Sequence, residues 1–385
     1  MANDELDDVL SDFGNKTTKP VPQTVTIPVK EAQVVSKKVE EKHKFKPGVG
    51  VDVGTSNIVV SRQTEDGTFV NRYHRDMLFP LEISDESRDL LDRSDYLYVK
   101  VNDKFYIVGE DALKLVNAIG RGEVVRPMKD GILNPSLKES SELLFYIIKA
   151  VVGDPIVPNE PLRFSVPANP VDRPLDNKFH KMVLENFFRQ MGYAPKAVNE
   201  AMAIAYDTNP TAKSDDGDVP LTGLAISCGG GMTNVALTFK GMELGSFSVT
   251  KSGDYIDEQA ASVTGVMKSK VLKRKEKELD LSKPDFTDRV LSALTIYYDE
   301  VIDRVIGIIS KEFANRGAEI EGEIEIVVAG GTSMPKGFCQ IFEEAVKKAN
   351  FPFKIYRVRH SSTPFFSVSQ GSCVRAQADF AKKSS

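Results

Sequence analysis

Five short motifs, four of them containing glycine, occur in a fixed order along this chain of 385 residues. They are GVDVGTSNIVV at 50–60, RPMKDGIL at 126–133, VNEAMAIAY at 198–206, AISCGGGMTNVAL at 225–237 and VVAGGTSMPKGF at 327–338. Each motif alone is most often part of a plain tight turn. Five of them in this order are hard to produce by chance, so we treat them as parts of one fold.

Two of the motifs have the pattern of a strand, a glycine turn and a return strand. Residues 49–53 and 58–61 flank the first turn, and residues 224–226 and 235–239 flank the second. Turns of this kind present successive backbone N–H groups to an anion, and glycine lets a phosphate approach closely. The two units are about 175 residues apart, which predicts an internal duplication that holds phosphate between paired hairpins.

The glycine spacing excludes the commonest nucleotide-binding motifs. It does not match the dinucleotide fingerprint, a strand rather than a helix follows the first turn, and no Walker lysine is present. The last motif differs from the two hairpins, because the strand 324–329 leads through Gly330 and Gly331 to a predicted helix at 338–348. A glycine pair there lets a flat ring or a sugar lie against the backbone.

Composition narrows the class of protein. The chain carries 50 Lys and Arg against 55 Asp and Glu, which does not indicate a nucleic-acid binder. Its three cysteines are widely spaced and form no metal-ligand pattern, which favours a reducing, cytoplasmic compartment. We find no signal peptide and no apolar run that would span a bilayer, so we expect no integral membrane segment.

Residues 1–46 are predicted to form a disordered N-terminal arm, because they are rich in charged residues, Thr and Pro and poor in aromatic residues. Within the arm, Leu6, Val9, Leu10 and Phe13 have helical spacing among five acidic residues. A membrane-surface helix is normally basic, so docking to a partner protein is the functional interpretation. An unstructured solubilising tail is the alternative.

The order and content of the five motifs resemble the actin-like ATPase superfamily, which includes actin, MreB, MamK, FtsA, the seventy-kilodalton heat-shock chaperones and sugar kinases. The resemblance covers roughly residues 47–380. It implies an α/β fold of two related, ribonuclease-H-like domains around a central nucleotide cleft. We expect domain I at 47–207 and domain II at 208–385, with the C-terminal helix returning to domain I. Residues 126–133 and 363–376 resemble the first and second connecting segments.

The resemblance also implies roles for single residues in binding ATP and Mg²⁺. Asp52 matches the acidic residue that holds the metal's water shell, and Glu200 matches the residue that positions the attacking water. Backbone and hydroxyl groups match the two phosphate loops and the adenosine motif. These residues are Gly54, Thr55, Ser56 and Asn57 in the first loop, Ser227, Gly229, Gly230, Gly231 and Thr233 in the second, and Gly330, Thr332, Gly331 and Ser333 in the adenosine motif.

The second phosphate loop departs from the family pattern Asp-x-Gly-Gly-Gly-Thr-Thr-Asp. Ser227 and Asn234 replace its two acidic residues. Ser227 retains the ability to contact a metal-bound water, and Thr233 can still bond a phosphate oxygen. The loss of both carboxylates therefore threatens hydrolysis more than it threatens binding.

The interval from residue 257 to 330 also departs from MreB-like proteins, which insert a small sheet there. We predict a basic helix at 266–279, a loop at 280–285 and a long helix at 287–314. The family contacts adenosine from this region with a Lys and Glu pair. Lys270, Lys273, Glu276 and Lys277 are candidates within 266–285, and the alternative is a solvated helix face.

Two functions remain open. One is a prokaryotic actin-like protein that binds ATP and assembles head to tail into cytoplasmic cytoskeletal filaments. The other is a non-polymerising nucleotide-binding scaffold, or pseudo-ATPase, that recruits a partner protein. A sugar or acid kinase is a distant third, because no base near a sugar pocket and no large insertions are evident.

Overall fold

Two five-stranded sheets with the same strand arrangement form the centre of the protein. A computed structural model describes residues 44–94, 96–207, 212–214, 217–315, 320, 322–349 and 351–384. Most of the predicted arm therefore lies outside the described residues. The first strand begins at Phe45, so the predicted boundary after residue 46 falls inside that strand.

The strands in chain order are β1 (Phe45–Val53), β2 (Asn57–Thr64), β3 (Phe69–Arg75), β4 (Leu78–Glu82), β5 (Tyr98–Val101), β6 (Lys104–Val108), β7 (Met128–Lys129), β8 (Ile132–Leu133), β9 (Pro161–Val166), β10 (Ala194–Asn199), β11 (Ala212–Ser214), β12 (Gly217–Val219), β13 (Gly223–Cys228), β14 (Met232–Phe239), β15 (Met242–Thr250), β16 (Glu323–Ala329) and β17 (Lys354–His360).

The helices are α1 (Asp85–Arg93), α2 (Glu110–Ile119), α3 (Ser140–Val152), α4 (Lys178–Gln190), α5 (Glu200–Tyr206), α6 (Gly253–Thr264), α7 (Lys268–Glu278), α8 (Arg289–Asn315), α9 (Phe338–Lys348) and α10 (Ser367–Ser384), with a short 3₁₀ helix at Gly331–Ser333.

The two sheets are duplicates in topology. In the first, β1, β2 and β3 are antiparallel neighbours, β9 runs parallel to β1, and β10 runs parallel to β9. In the second, β13, β14 and β15 take the places of β1, β2 and β3, while β16 and β17 take those of β9 and β10. The predicted internal duplication is confirmed by this shared order. Each sheet packs its own main apolar cluster.

The two halves differ in the elements inserted after their third strand. The first half inserts the small antiparallel sheet β4–β6–β5 with α1 and α2. The second half has the three helices α6, α7 and α8 instead. The basic helix and the long helix predicted there are observed as α7 and α8, with bounds within a few residues of the predicted ones.

Two helices pack against each other between the sheets. α5 contacts α10, and α10 lies against β1, β2 and β9 of the first sheet. The close approach requires glycine, because a Cβ on Gly371 would lie 1.7 Å from the carbonyl oxygen of Ala203. A Cβ on Gly50 would likewise lie 1.9 Å from the Ser369 carbonyl oxygen. The predicted domain bounds at 207 and 208 stay a prediction.

The segment 126–133 is not one of these two packed helices. It contains the two-stranded ribbon of β7 and β8, and the helix that packs against α10 is α5, which begins at Glu200. Our assignment of 126–133 as the first connecting segment is therefore wrong. Asp130 and Gly131 both have positive φ, so the Lys-Asp-Gly sequence forms the turn between β7 and β8.

None of the helices in the described ranges is both long and apolar enough to cross a bilayer.

Candidate functional site

The first glycine turn joins β1 to β2. The Gly54 N–H donates to the Asn57 carbonyl oxygen at 3.1 Å and closes the turn. Thr55 is buried, and its Oγ1 accepts a hydrogen bond from the backbone N–H of Gly131 at 3.0 Å. The turn between β7 and β8 is therefore hydrogen-bonded to the first glycine turn.

The second glycine turn joins β13 to β14 in the same way. The Gly229 N–H donates to the Met232 carbonyl oxygen at 3.0 Å. The carbonyl oxygen of Gly229 in turn accepts hydrogen bonds from Ser252 Oγ and Thr332 Oγ1, each at 2.7 Å. These two hydroxyls fix the turn to the start of α6 and to the last glycine motif.

The two turns meet across the molecule. A Cβ on Gly230 would lie 2.4 Å from Ser56 Oγ, and a Cβ on Gly231 would lie 2.6 Å from Thr55 Oγ1. A Cβ on Gly231 would also lie 2.5 Å from the backbone nitrogen of Gly131, so this position requires glycine, whereas a Cβ on Gly230 would displace the Ser56 hydroxyl. The hairpins predicted to face each other are therefore in contact at the floor of a cleft.

The last glycine motif forms another wall. Gly330 has φ 95°, and a Cβ there would lie 2.4 Å from the Cys228 carbonyl oxygen, so Gly330 is packed behind the second turn. Gly331 differs, because a Cβ at Gly331 would meet no heavy atom within 4 Å. The backbone at Gly331 thus faces open space at the edge of the cleft.

These three motifs enclose a cleft with a cavity volume of about 570 Å³. That volume falls in the range of roughly 300–1,000 Å³ typical of small-molecule sites. The predicted residues that line it are Asp52, Gly54, Thr55, Ser56, Asn57, Glu200, Ser227, Gly229, Gly230, Gly231, Gly330, Gly331 and Thr332. Further lining residues come from α7 and from residues 334–336.

Two carboxylates line the cleft, with Glu200 buried and Asp52 partly buried. Asp52 Oδ1 accepts a hydrogen bond from Ser165 Oγ at 2.8 Å, and Ser165 Oγ itself accepts from the Val53 N–H at 2.9 Å. Glu200 begins α5, directly after the N-cap Asn199. Burial raises the pKa of both carboxyl groups, and the negative charge of Asp52 raises the pKa of Glu200 further. Such shifts are common at functional sites.

The two residues that replace the acidic positions of the actin-like pattern both contact Glu200. Ser227 Oγ donates to Glu200 Oε2 at 3.5 Å, and Asn234 Nδ2 donates to the same oxygen at 2.8 Å. The amide orientation of Asn234 is fixed, because its Oδ1 accepts the backbone N–H of Ala168 at 2.9 Å. Asn234 is fully buried, so it acts as a neutral donor to the carboxylate.

Two predicted residues do not reach the cleft. Thr233 Oγ1 lies 3.0 Å from Ser252 Oγ, and Ser333 Oγ donates to the Gly330 carbonyl oxygen at 2.8 Å. Both side chains are buried and neither lines the cavity. The sequence contains a signal for the placement of Thr233. Adjacent residues of a strand point to opposite faces of the sheet, so Thr233 points away from the face on which Asn234 contacts Glu200.

Two ion pairs join the halves across the cleft. Arg75 at the end of β3 donates through both Nη atoms to Glu276 of α7, at 2.9 and 2.7 Å. Arg126 Nη1 donates to Asp254 Oδ1 at 2.6 Å and to Ser56 Oγ at 3.3 Å. Sequence reasoning missed both pairs, although Arg126 lies in the second motif.

The structure also separates the α7 candidates. Glu276 and Lys277 line the cleft together with Lys275, whereas Lys270 and Lys273 do not. Lys275 Nζ is occupied by an ion pair with Asp257 at 2.8 Å.

Comparison with known proteins gives the family and the fold. The model of the Volactin family matches residues 48–376. A MamK double helical filament superposes with a TM-score of 0.61 at 20% identity, covering 85% of this chain and 97% of that chain. MreB5 of Spiroplasma citri bound to ADP superposes with a TM-score of 0.56 at 16% identity, covering 88% of this chain and 97% of that chain.

The ethanolamine utilization protein EutJ from Carboxydothermus hydrogenoformans gives a TM-score of 0.50 at 14% identity, covering 89% of this chain and 98% of that chain. No curated protein sequence matches the chain. At these identities the three structures establish the fold, which is the actin-like ATPase fold that the sequence predicted.

Proposed function

The chain belongs to the Volactin family, and we propose that it binds ATP and Mg²⁺ in the cleft and assembles head to tail into cytoskeletal filaments. The observation that carries the proposal is the contact between two duplicated glycine turns. Gly230 faces Ser56, and Gly231 lies so close to Thr55 and to the Gly131 backbone that a side chain at Gly231 would clash. Backbone N–H groups of two facing turns are suited to holding a chain of phosphates.

The carboxylates of the cleft fit a hydrated magnesium ion. Mg²⁺ keeps several waters and usually binds through one or two carboxylates together with substrate phosphates. Asp52 supplies such a carboxylate beside the first turn, and Ser227 supplies a hydroxyl beside the second. No group of three metal-ligating side chains occurs among the residues with described coordinates, which agrees with an ion held mainly by water and phosphate.

We propose that Glu200 orients a water at the terminal phosphate. Its carboxylate is buried at the cleft wall and accepts hydrogen bonds only from Asn234 and Ser227 in the described contacts. A carboxylate with a raised pKa is a reasonable proton acceptor near neutral pH. Because neither Ser227 nor Asn234 supplies a negative charge, we expect hydrolysis to be slow.

The adenosine would lie beside Gly331, where the backbone is open. Glu276 and Lys277 of α7 line the same cleft as Gly331, and so do residues 334–336. This arrangement supports the Lys and Glu pair that the resemblance implied. We propose Glu276 and Lys277 for that pair, and Thr332 as support through Gly229.

Assembly is proposed from the fold and from the duplication. One heterologous contact, repeated, generates an open filament, and one structural neighbour is a MamK double helical filament. We propose a second copy of this chain as the main partner and a cytoplasmic, cytoskeletal location.

The non-polymerising scaffold is favoured by a different observation. The Asn234 amide holds Glu200 at 2.8 Å, which suits a site that binds nucleotide without turning it over. Under this alternative the protein would bind nucleotide and remain unassembled.

Nucleotide binding tests the site directly. Gly331→Leu places a side chain beside Gly331, where an added Cβ meets no heavy atom within 4 Å. We expect ATP affinity, measured by calorimetry with Mg²⁺, to fall at least about tenfold, since overpacking a site costs roughly 1–3 kcal/mol. Gly307→Ala, at an exposed position of α8, is the control, because its added Cβ also meets no atom within 4 Å. Equal ATP affinity in the two variants would refute the site.

A further inference from the structure

One face of α7 carries a row of lysines with no partner in the described structure. Lys270, Lys273 and Lys277 are all exposed, and none forms an ion pair with a described residue. At 100° per residue their side chains fall within an arc of about 60° on the helix. Three like charges thus point to one side of the molecule.

The acidic residues of α7 do not neutralise this row. Glu276 is bound by Arg75 across the cleft, and Glu278 is bound by Arg274 on the same helix at 2.7 Å. A charge run of this kind is usually a solvated face. Two further observations indicate which segment binds to this row of lysines.

The first observation is an exposed aromatic ring close to the row. Arg274, which follows Lys273 in α7, donates to Asp288 at 2.9 Å and so holds the loop before α8 against α7. That loop contains Phe286, whose ring is 64% exposed. The surface therefore combines positive charge with an apolar contact, and we call it the α7 face (Lys270, Lys273, Lys277 and Phe286).

The second observation is the sequence of the arm. Residues 4–13, DELDDVLSDF, carry five acidic and no basic residues, with four apolar residues at helical spacing. Both the charge and the apolar content are complementary to the α7 face. An anionic membrane leaflet would repel the same segment.

The proposed head-to-tail assembly puts the α7 face of a second copy within reach of the arm. The arm joins β1 at Phe45, and β1 runs nine residues from there to the cleft, about 30 Å. The α7 face adjoins the cleft at Lys277, which lines it. A head-to-tail repeat brings the far end of one copy to the cleft side of the next. Residues 14–43, thirty residues, span up to about 100 Å.

We propose that the acidic segment 4–13 of one copy docks on the α7 face of the neighbouring copy and tethers successive subunits. This inference rests on the proposed head-to-tail assembly.

Mixed cross-linking tests the contact and its source. One protein carries Ser11→Cys and the other carries Lys273→Cys, both in a Cys339→Ser background because the other two cysteines are buried. After mixing with ATP and Mg²⁺, a bis-maleimide reagent should give a product of twice the chain mass. We expect at least a fivefold loss of that product in about 0.5 M salt, because the contact is exposed and ionic.

The control partner carries Lys100→Cys, an exposed lysine of β5. No product with Lys273→Cys, or an equal yield with Lys100→Cys, would overturn the proposal. Cross-linking only within a single chain carrying both cysteines would assign the segment to its own chain and also overturn it. Co-sedimentation of the protein with anionic vesicles, together with no cross-linked product, would assign the segment to membranes instead.

Charge reversal gives an independent readout. Lys270→Glu with Lys273→Glu should raise the concentration needed for assembly by about threefold to tenfold, since exposed ion pairs contribute roughly 0.2–1 kcal/mol each. Asp7→Lys with Asp8→Lys in the arm should do the same, and the combined variant should recover to within about twofold of the wild type. No recovery would overturn the docking.

Pelleting of the same samples separates the two proposals. Filaments without the cross-link overturn the docking and leave the filament standing. A protein that neither binds nucleotide nor pellets contradicts the proposed function itself.

Discussion

At the base of the cleft, Glu200, Ser227 and Asn234 form a single hydrogen-bonded group. Each donor to Glu200 is neutral, so the carboxylate does not face a second negative charge from β13 or β14. Ser227 and Asn234 therefore make this a hydrogen-bonded group with one carboxylate instead of a cluster of charges. This has a measurable consequence at Ser227.

Ser227→Asp should make the protein depend on magnesium. Ser227 is buried beside Glu200 and lines the same cleft as Asp52. Without metal the added carboxylate is repelled, and we expect the free energy of unfolding to fall by roughly 1–3 kcal/mol. With Mg²⁺ and ATP the loss should be recovered, and phosphate release should rise if the missing charge limits turnover. Thermal melting and phosphate release measure the two effects.

Ser227→Asn is the matched control, since it has nearly the shape of Asp without the charge. If the two variants respond alike to Mg²⁺, the added charge has no role at this position.

A second residue-scale prediction concerns acid stability. His180 on α4 is buried, and neither ring nitrogen has a hydrogen-bond partner. Burial lowers its pKa from 6.5 to about 4. Below about pH 6.5 the unfolded chain therefore binds a proton at His180 that the folded chain does not bind. The free energy of unfolding has its full value above about pH 6.5 and decreases as the pH falls toward 4.

His180→Leu should remove this loss. Between pH 7 and pH 4, the free energy of unfolding of the wild type should fall by up to about 3 kcal/mol more than that of the variant. Denaturant unfolding at a series of pH values measures the difference. Parallel stability curves for the two proteins would show that His180 does not carry the acid sensitivity.

Among the elements, the packing of α5 against α10 depends on very small residues. Gly371 leaves no room for a Cβ against the Ala203 carbonyl oxygen, and Gly50 leaves none against Ser369. The packing brings Glu200, at the first turn of α5, to its place in the cleft. A change at this crossing should therefore disturb both stability and the site.

Gly371→Ala should cost several kcal/mol, since a backbone oxygen 1.7 Å from the new methyl group cannot move aside without shifting α5. Gly307→Ala is the matched helical control, and it should stabilise the protein by about 0.5–1 kcal/mol because no atom lies near its new methyl group. Thermal and denaturant unfolding give both values. A Gly371→Ala protein as stable as the wild type would contradict the close packing.

The elements differ in how well the sequence specified them. The hairpins around Gly54 and Gly230, and the helix at 338–348, were predicted within a few residues because glycine turns and apolar periodicity are local signals. The ribbon at 126–133 was misassigned, because two-residue strands leave no periodic pattern. Long-range contacts such as Arg126 with Asp254 join residues 128 positions apart and have no local signature.

For the whole molecule, two sheets of identical topology bring equivalent turns together at the floor of one cleft. Arg75 with Glu276 and Arg126 with Asp254 hold the two halves together in the described structure. A ligand that bridges the turns would bias the angle between the halves, and a change of this angle is a common way of controlling assembly. The duplication was visible in the sequence, whereas the cross-cleft ion pairs required the structure.

The most direct test of nucleotide-dependent assembly is high-speed sedimentation with Mg²⁺ in ATP, a slowly hydrolysed ATP analogue, ADP or no nucleotide, with electron microscopy of the pellets. We predict filaments with ATP and with the analogue, fewer with ADP, and few or none without nucleotide. The Gly331→Leu protein should stay in the supernatant under every condition. Absence of a pellet in all four conditions, or an equal pellet with and without nucleotide, would contradict the account.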